Sequence, residues 1–262
     1  MDKNTKVLLI LVDGMRPDAI SACKNEFAVR MAEESTFCTM EAQTVFPSVT
    51  LPCHMSLFHS VVPSRHGILT NTYVPMARPV DGLVEKLHAA GRKCSFYYTW
   101  EELRDLAKPG TLTESVFATM YGADVQDPEE AVTKAAAAAV RRDAPDFLFL
   151  YLGLADETGH RCGWMSEEYL TAVSHAWDRI REITEELPEE YRVVILADHG
   201  GHEFNHGSNA PEDMTIPVII KGKETDHFRD GAVSILDIAP TVADWLGVPA
   251  DTAWTGRSLL CR

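Results

Sequence analysis

The chain has 262 residues, 45% of them hydrophobic and 24% charged, ordinary values for a globular protein large enough to bury a substantial core. Its formal charge of −15 argues against a nucleic-acid polymer or an anionic membrane surface as partner. A small phosphorylated substrate stays open, because bound divalent cations reverse the local sign.

Lys6 to Val12, K-V-L-L-I-L-V, is an apolar run of strand length that stops at Asp13-Gly14 and suits a central parallel strand. The residues before it, from Met1 to Lys6, lead into too few apolar positions for the core of a signal peptide, and no run reaches bilayer length. The expectation is a cytoplasmic chain with no membrane segment. Pro17-Asp18 opens a helix expected to run towards Glu34, with Ile20, Phe27 and Met31 facing the core. A strand over Phe37 to Ala42 follows. Thr50 is then placed as a helix N-cap, with Pro52 in the first turn. Val62 to Asn71 reads as an irregular loop.

Alternation resumes with a helix over Leu83 to Ala90, closed by Gly91, and a strand over Lys93 to Tyr98. A short helix spans Glu101 to Ala107. Asp127-Pro128 caps a helix to about Arg142, and Phe147 to Leu152 is a buried strand running into Gly153-Leu154-Ala155-Asp156. A long helix starts at Ser166 and ends near Glu186. Strands over Val193 to Ala197 and Ile216 to Ile220 and a helix over Ile235 to Leu246 complete the chain. Strands alternating with helices predict an α/β fold, a mostly parallel sheet with helices on both faces. One domain over 1–262 is expected, with a possible small insert within about 70–127. Cys23, Cys38, Cys53, Cys94, Cys162 and Cys261 form no C-x-x-C pair and read as reduced thiols.

Three buried runs lead into aspartates: Asp13, Asp156 and Asp198. In open parallel sheets ligands bind beyond the carboxyl ends of the strands, so sequence-distant carboxylates can converge there. One such aspartate is more often a turn residue; three, two of them followed closely by histidine, point to metal. Asp156 and His160 stand four apart, and Asp198-His199 is followed by Gly200-Gly201, which permits a sharp turn. Sorted by reach, Asp13, Asp198 and His199 form one set, and Asp156, His160 and a last histidine the other. His202 and His206 compete for that last place. Mixed nitrogen and oxygen donors suit zinc, with manganese also possible, and incomplete sets leave room for substrate. Thr50 is the candidate nucleophile, at a helix start where backbone N–H groups meet anions. Asn71 offers a neutral donor to a phosphoryl oxygen, while His54 and His66 read as structural groups near the site.

The runs V-D-G-M-R-P-D at Val12 to Asp18, F-P-S-V-T-L-P-C-H at Phe46 to His54 and P-S-R-H-G-I at Pro63 to Ile68 together resemble the alkaline phosphatase superfamily. With D-E-T-G-H at Asp156 to His160 and A-D-H-G-G-H at Ala197 to His202, the resemblance is to its type I phosphodiesterase/nucleotide pyrophosphatase branch, over nearly the whole chain. It implies an alkaline-phosphatase-like fold without a large cap domain and a two-zinc hydrolase in which Thr50 is transiently phosphorylated. By motif, Asp13, Asp198, His199 and Thr50 would share one metal, and Asp156, His160 and His206 the other. Thr50, Leu51 and Asn71 would contact the substrate.

The chain departs from the family pattern in the short interval between His199 and His206, where an insertion usually shapes the substrate pocket. A sulfatase is disfavoured because Thr50 to His54 lacks the arginine of the C/S-x-P-x-R motif. A phosphoglycerate mutase is disfavoured because the chain has no room for its inserted domain. The reading is a hydrolase of small phosphoesters, with diesters or nucleotide-type pyrophosphates ahead of monoesters. A phosphomonoesterase, a phosphonate hydrolase and a non-catalytic metal- or nucleotide-binding module are the alternatives.

Overall fold

The computed structural model describes residues 4–121 and 127–261; the first residues of the chain, part of the candidate insert and the last residue lie outside them. Strand β1 (Lys6–Val12) buries every side chain after Lys6, so both of its faces must be covered. It pairs in parallel with β5 (Phe147–Leu152) on one side and β6 (Tyr191–Leu196) on the other. Beyond β5, β3 (Cys94–Tyr98) and β4 (Glu114–Phe117) add in parallel. Beyond β6, β7 (Thr215–Lys221) runs antiparallel, and β2 (Phe37–Gln43) is antiparallel to it. The seven-stranded sheet has the order β2-β7-β6-β1-β5-β3-β4. This is the α/β architecture expected from the alternation of elements.

Two groups of helices cover it. One comprises α1 (Ala19–Ala22), α2 (Glu26–Glu33), α6 (Pro128–Asp143), α7 (Leu154–Cys162) and α8 (Glu167–Thr184), which pack on one another. The other comprises α3 (Thr50–His59), α4 (Pro63–His66), α5 (Leu83–Ala89) and α10 (Ile238–Trp245). The turn α9 (Pro211–Met214) leads into β7.

Four local expectations change. The helix expected from Pro17 to Glu34 is two, because Lys24 turns left-handed (φ 57°) and the Asn25 side chain caps a new start by accepting the Phe27 and Ala28 N–H groups. The loop expected from Val62 to Asn71 contains one helical turn, α4, opened by Pro63 at its first position and ended by Gly67 at φ 82°. Part of the candidate insert belongs to the sheet, since it supplies edge strand β4. Thr50 is not a cap: it is the first residue of α3, and Val49, which has no capping side chain, precedes it. Its hydroxyl is therefore available elsewhere.

Register decides where the site forms. Val12 lies beside Leu152, and Leu11 beside Leu196, so β1, β5 and β6 end together. Asp13, the start of α7 and Asp198 are thereby delivered to one end of the sheet.

Candidate active site

Asp13 follows β1 directly, Asp198 follows β6 after Ala197, and both are buried with His199. His199 Nε2 lies 3.3 Å from Asp13 Oδ1, 3.3 Å from Asp198 Oδ2 and 3.2 Å from Thr50 Oγ1. On its other side, His199 Nδ1 is 2.8 Å from the Gly200 carbonyl oxygen. A carbonyl only accepts, so Nδ1 carries the proton and Nε2 presents a lone pair. The loop that places it needs its glycines: a Cβ on Gly200 would stand 2.1 Å from the Glu212 carbonyl oxygen, and one on Gly201 2.3 Å from the Trp164 ring.

Asp156 and His160 come from successive turns of α7, where a four-residue spacing puts both on one face. His160 Nε2 lies 3.5 Å from Asp156 Oδ2, and His206 Nε2 3.6 Å from Asp156 Oδ1. Again each Nδ1 meets a carbonyl: Phe204 at 3.0 Å for His160 and Ser48 at 2.8 Å for His206. His199 and His206 stack with ring centroids 3.8 Å apart, which ties the two sets into one cluster. His202 is elsewhere. Its side chain is 42% exposed and its Nδ1 lies 2.7 Å from Asp213 Oδ1, which raises its pKa. Of the two histidines the sequence left in competition, the fold brings His206 to Asp156.

His160, His199 and His206 present Nε2 lone pairs to carboxylate oxygens. Asp13 Oδ1, Asp156 Oδ1 and Asp198 Oδ2 are buried with no hydrogen-bond partner among the described residues. Lone pair facing lone pair, in a site that excludes water, is unfavourable unless a cation stands between them. Burial raises the pKa of Asp13 and Asp156 well above the usual carboxylate range, and that of Asp198 to about 7; nearby carboxylates add to the rise in each. Burial and the neighbouring His199 lower that of His206, keeping it neutral. Two groups of donors, Asp13 with Asp198 and His199, and Asp156 with His199 and His206, are each close enough to hold one divalent ion. His160 flanks the second group from the exposed side.

These residues open onto a cleft of about 200 Å³ whose walls include Thr50, Asn71, Trp100, Tyr121 and Glu157. Asn71 Oδ1 accepts the Leu51 N–H at 3.0 Å, which fixes the amide and leaves its NH₂ as the free donor. A larger cavity, about 550 Å³, lies at the opposite end of the sheet beside Thr5, Arg192 and Trp245. None of the donor groups reaches it, so chemistry rather than size locates the site.

The surroundings hold residues that the sequence motifs did not single out. The Tyr151 hydroxyl donates to Asp13 Oδ2, and Trp164 and Tyr169 both donate to the Gly14 carbonyl, at 3.0 and 2.8 Å. Glu129, buried on α6, accepts the Leu154 N–H at 2.8 Å and so caps the helix that carries Asp156. Tyr151 and Leu154 lie beside recognisable motifs, whereas nothing in the α6 sequence marks Glu129. His54 and His66 serve as structural groups. His54 Nδ1 lies 2.9 Å from the Thr50 carbonyl oxygen, and His66 accepts the Ile68 N–H at 3.1 Å.

Known proteins resemble this one at several levels. The family model for type I phosphodiesterase/nucleotide pyrophosphatase matches residues 7–89 and 82–213. A 2,3-bisphosphoglycerate-independent phosphoglycerate mutase of Flavobacterium psychrophilum is 29% identical over 136 residues, 49% of this chain and 26% of the mutase. The chain therefore aligns with about a quarter of the length of that relative. Among solved structures, murine ectonucleotide pyrophosphatase/phosphodiesterase 5 superposes with a TM-score of 0.78 at 15% identity, covering 98% of this chain and 100% of that one. A phosphonate monoester hydrolase from Silicibacter pomeroyi superposes with a TM-score of 0.68 at 15% identity, covering 97% and 76%. At those identities the structural neighbours establish the fold.

Proposed function

This chain belongs to the type I phosphodiesterase/nucleotide pyrophosphatase family, and on that premise we propose that it hydrolyses small phosphodiesters through a transient phosphothreonine at Thr50. The observation that carries this reading is the set of buried, unpartnered carboxylate oxygens facing proton-free histidine nitrogens around the Thr50 hydroxyl. A binding module has no use for a hydroxyl in that position.

The donor chemistry fits two divalent cations, zinc first and manganese second. Asp13, Asp198, His199 and Thr50 would hold one, and Asp156, His160 and His206 the other. When bound, the pair would lower the pKa of the nucleophile and neutralise charge developing on phosphorus. The protein's own groups do the rest. His199, its Nδ1 proton held on the Gly200 carbonyl, turns no donor towards Thr50 Oγ1, so the hydroxyl oxygen keeps its lone pairs for phosphorus and its proton leaves to water in the cleft. Thr50 Oγ1 attacks phosphorus, the ester oxygen opposite leaves, and water then cleaves the Thr50 phosphoester to restore the hydroxyl. Asn71, its carbonyl side locked on Leu51, would direct its NH₂ to a phosphoryl oxygen.

The preference for diesters follows from charge. A monoester dianion calls for an added cation near phosphorus, and no Lys or Arg is among the residues lining the cleft. The three arginines near the motifs are engaged elsewhere or point away. Arg16 pairs with Asp18 and reaches the Gly201 carbonyl, Arg65 donates to the Arg78 carbonyl, and Arg161 lines a separate depression beside α8. The six cysteines are all unpaired thiols, which fits a reducing compartment such as the cytoplasm. Among the described residues no helix is long and apolar enough to cross a membrane.

The test combines metal analysis with turnover of nitrophenyl phosphate, bis-nitrophenyl phosphate and a nucleoside nitrophenyl phosphate. The expected outcome is two divalent ions per chain and a higher kcat/KM on the diesters. Thr50→Ala should bind metal and lose about 10³-fold or more in rate, since nucleophile and metals act as a unit. A Thr50→Ala rate near that of the parent protein would replace the covalent route with direct attack by water. Absence of turnover on every ester by metal-loaded protein would remove the enzymatic reading.

A further inference from the structure

We propose that Trp164 is a positioning residue of the candidate metal centre, its indole ring holding His160 and His206 at the angles from which both reach one ion. This rests on the two-cation reading above and assigns a role to a side chain that none of the sequence motifs singles out.

The ring's place follows from the turn after α7. Gly163 ends the helix at φ 94° and donates its N–H to the Gly159 carbonyl at 2.8 Å. Trp164, the next residue, donates its own N–H to the Glu203 carbonyl at 2.7 Å and is 7% exposed. Its ring stands perpendicular to that of His160, with centroids 5.0 Å apart and planes at 87°. The His206 ring lies 5.9 Å away at 65°. Trp164 Nε1 donates to the Gly14 carbonyl, one residue past Asp13. One side chain therefore meets the segment after β1, the last turn of α7 and the loop after β6, the three segments that carry the donors.

Two glycines show how closely the ring is seated. A Cβ on Gly159 would stand 2.7 Å from it, and one on Gly201 2.3 Å. Gly159 lies within α7, between Asp156 and His160, where glycine weakens a helix and alanine would strengthen it. The approach of the indole is the physical reason for a glycine there.

The two histidines need such a wall. Each ring is pinned at Nδ1, His160 on the Phe204 carbonyl and His206 on the Ser48 carbonyl. A single hydrogen bond lets a ring swing about it, and the His160 side chain is 39% exposed. A flat, buried ring packed against both imidazoles removes that freedom. The other donor set is anchored independently. His199 is held by the Gly200 carbonyl, and the Gly14 carbonyl also accepts the Tyr169 hydroxyl at 2.8 Å. Loss of the indole should therefore fall on the set of Asp156, His160 and His206. Groups that orient metal-binding histidines typically change metal affinity by about 10- to 100-fold.

The experiment titrates zinc into the chelator-treated chain by calorimetry, with elemental analysis of the product, so that it reads the site without turnover. The parent protein should bind two ions. In Trp164→Leu one ion should keep its affinity within about twofold while the other weakens by about 10- to 100-fold. Trp164→Phe, which returns a ring to the same wall, should recover most of that loss. Gly159→Ala suits the helix and displaces the indole, so it should weaken the same ion selectively and provides the test even if Trp164→Leu does not fold. Variants that hold both ions as the parent does, or that weaken both equally, overturn the positioning role and leave the hydrolase reading intact. So does a Trp164→Phe no better than Trp164→Leu. A parent protein that binds fewer than two ions removes the two-cation reading and this proposal with it.

Discussion

At the scale of single residues, the site is defined by where protons are not. His160, His199 and His206 each point Nδ1 at a backbone carbonyl, and each points Nε2 at an aspartate oxygen. The sequence names these residues but not their tautomers, because a tautomer is set by the group opposite the ring. His202 shows the contrast: one more histidine in the same loop, it faces Asp213 and its pKa is raised. Asn71 is the residue whose contribution is most easily isolated. Its Oδ1 is taken by the Leu51 N–H, so its NH₂ is the only neutral donor of the pair available to substrate. Asn71→Ala should lower kcat on a diester by about 10²-fold, in the range found when one oxyanion donor is removed. Metal content should not change. A rate within a few-fold of the parent, measured in the same assay, would show that Asn71 serves only to hold the start of α3.

At the scale of elements, α7 carries two donors on one face, and its position is set by a residue far away in sequence. Glu129 of α6 is buried, accepts the Leu154 N–H, and also interacts with the Gly153 N–H; Asp127 and the Arg179 guanidinium of α8 are the charged groups around it. Burial is the largest influence and raises its pKa to about 7, while the hydrogen bond to Leu154 acts in the opposite direction. A carboxyl whose folded pKa lies above its unfolded value of about 4.5 stabilises the fold fully below pH 4.5. That contribution disappears as pH rises through 7. The rise from 4.5 to about 7 corresponds to about 3 to 4 kcal/mol. Glu129→Gln keeps an oxygen for the Leu154 N–H and removes the ionisation. Relative to the parent it should therefore gain stability between pH 5 and pH 8, by an amount of that order, in urea unfolding with chelator present. Parallel pH profiles for the two proteins would show that Glu129 keeps an ordinary pKa in this setting.

At the scale of the whole molecule, the sheet brings the carboxylates Asp13, Asp156 and Asp198 into one buried cluster, an arrangement that costs stability unless cations are bound. Chelation should lower Tm by about 5 °C or more, and zinc or manganese should restore both Tm and turnover. A Tm insensitive to chelator, with metal analysis confirming removal, would mean the carboxylates are relieved by protonation instead. The sequence by itself determined a good deal here. Continuous apolar runs such as Lys6–Val12 and Phe147–Leu152 can be stable only as strands covered on both faces, and that fixes the α/β architecture. An aspartate after such a run must fall at the end of the sheet, so Asp13 and Asp198 were legible from local pattern. What local pattern could not decide was anything set by a distant neighbour. Thr50 was readable as a helix start but not as the partner of His199, since that contact depends on the β6 loop folding back over α3. The break at Lys24 and the edge strand β4 were missed for the same reason: short elements are selected by what they pack against, Asn25 on α8 and Glu114–Phe117 on β3. Nor does the sequence place Trp100, Tyr121 and Glu157 around one cleft, because they come from three separate segments. Their meeting is settled only when the strands that carry those segments pair in register, a cooperative outcome of burying the whole core that no single stretch encodes.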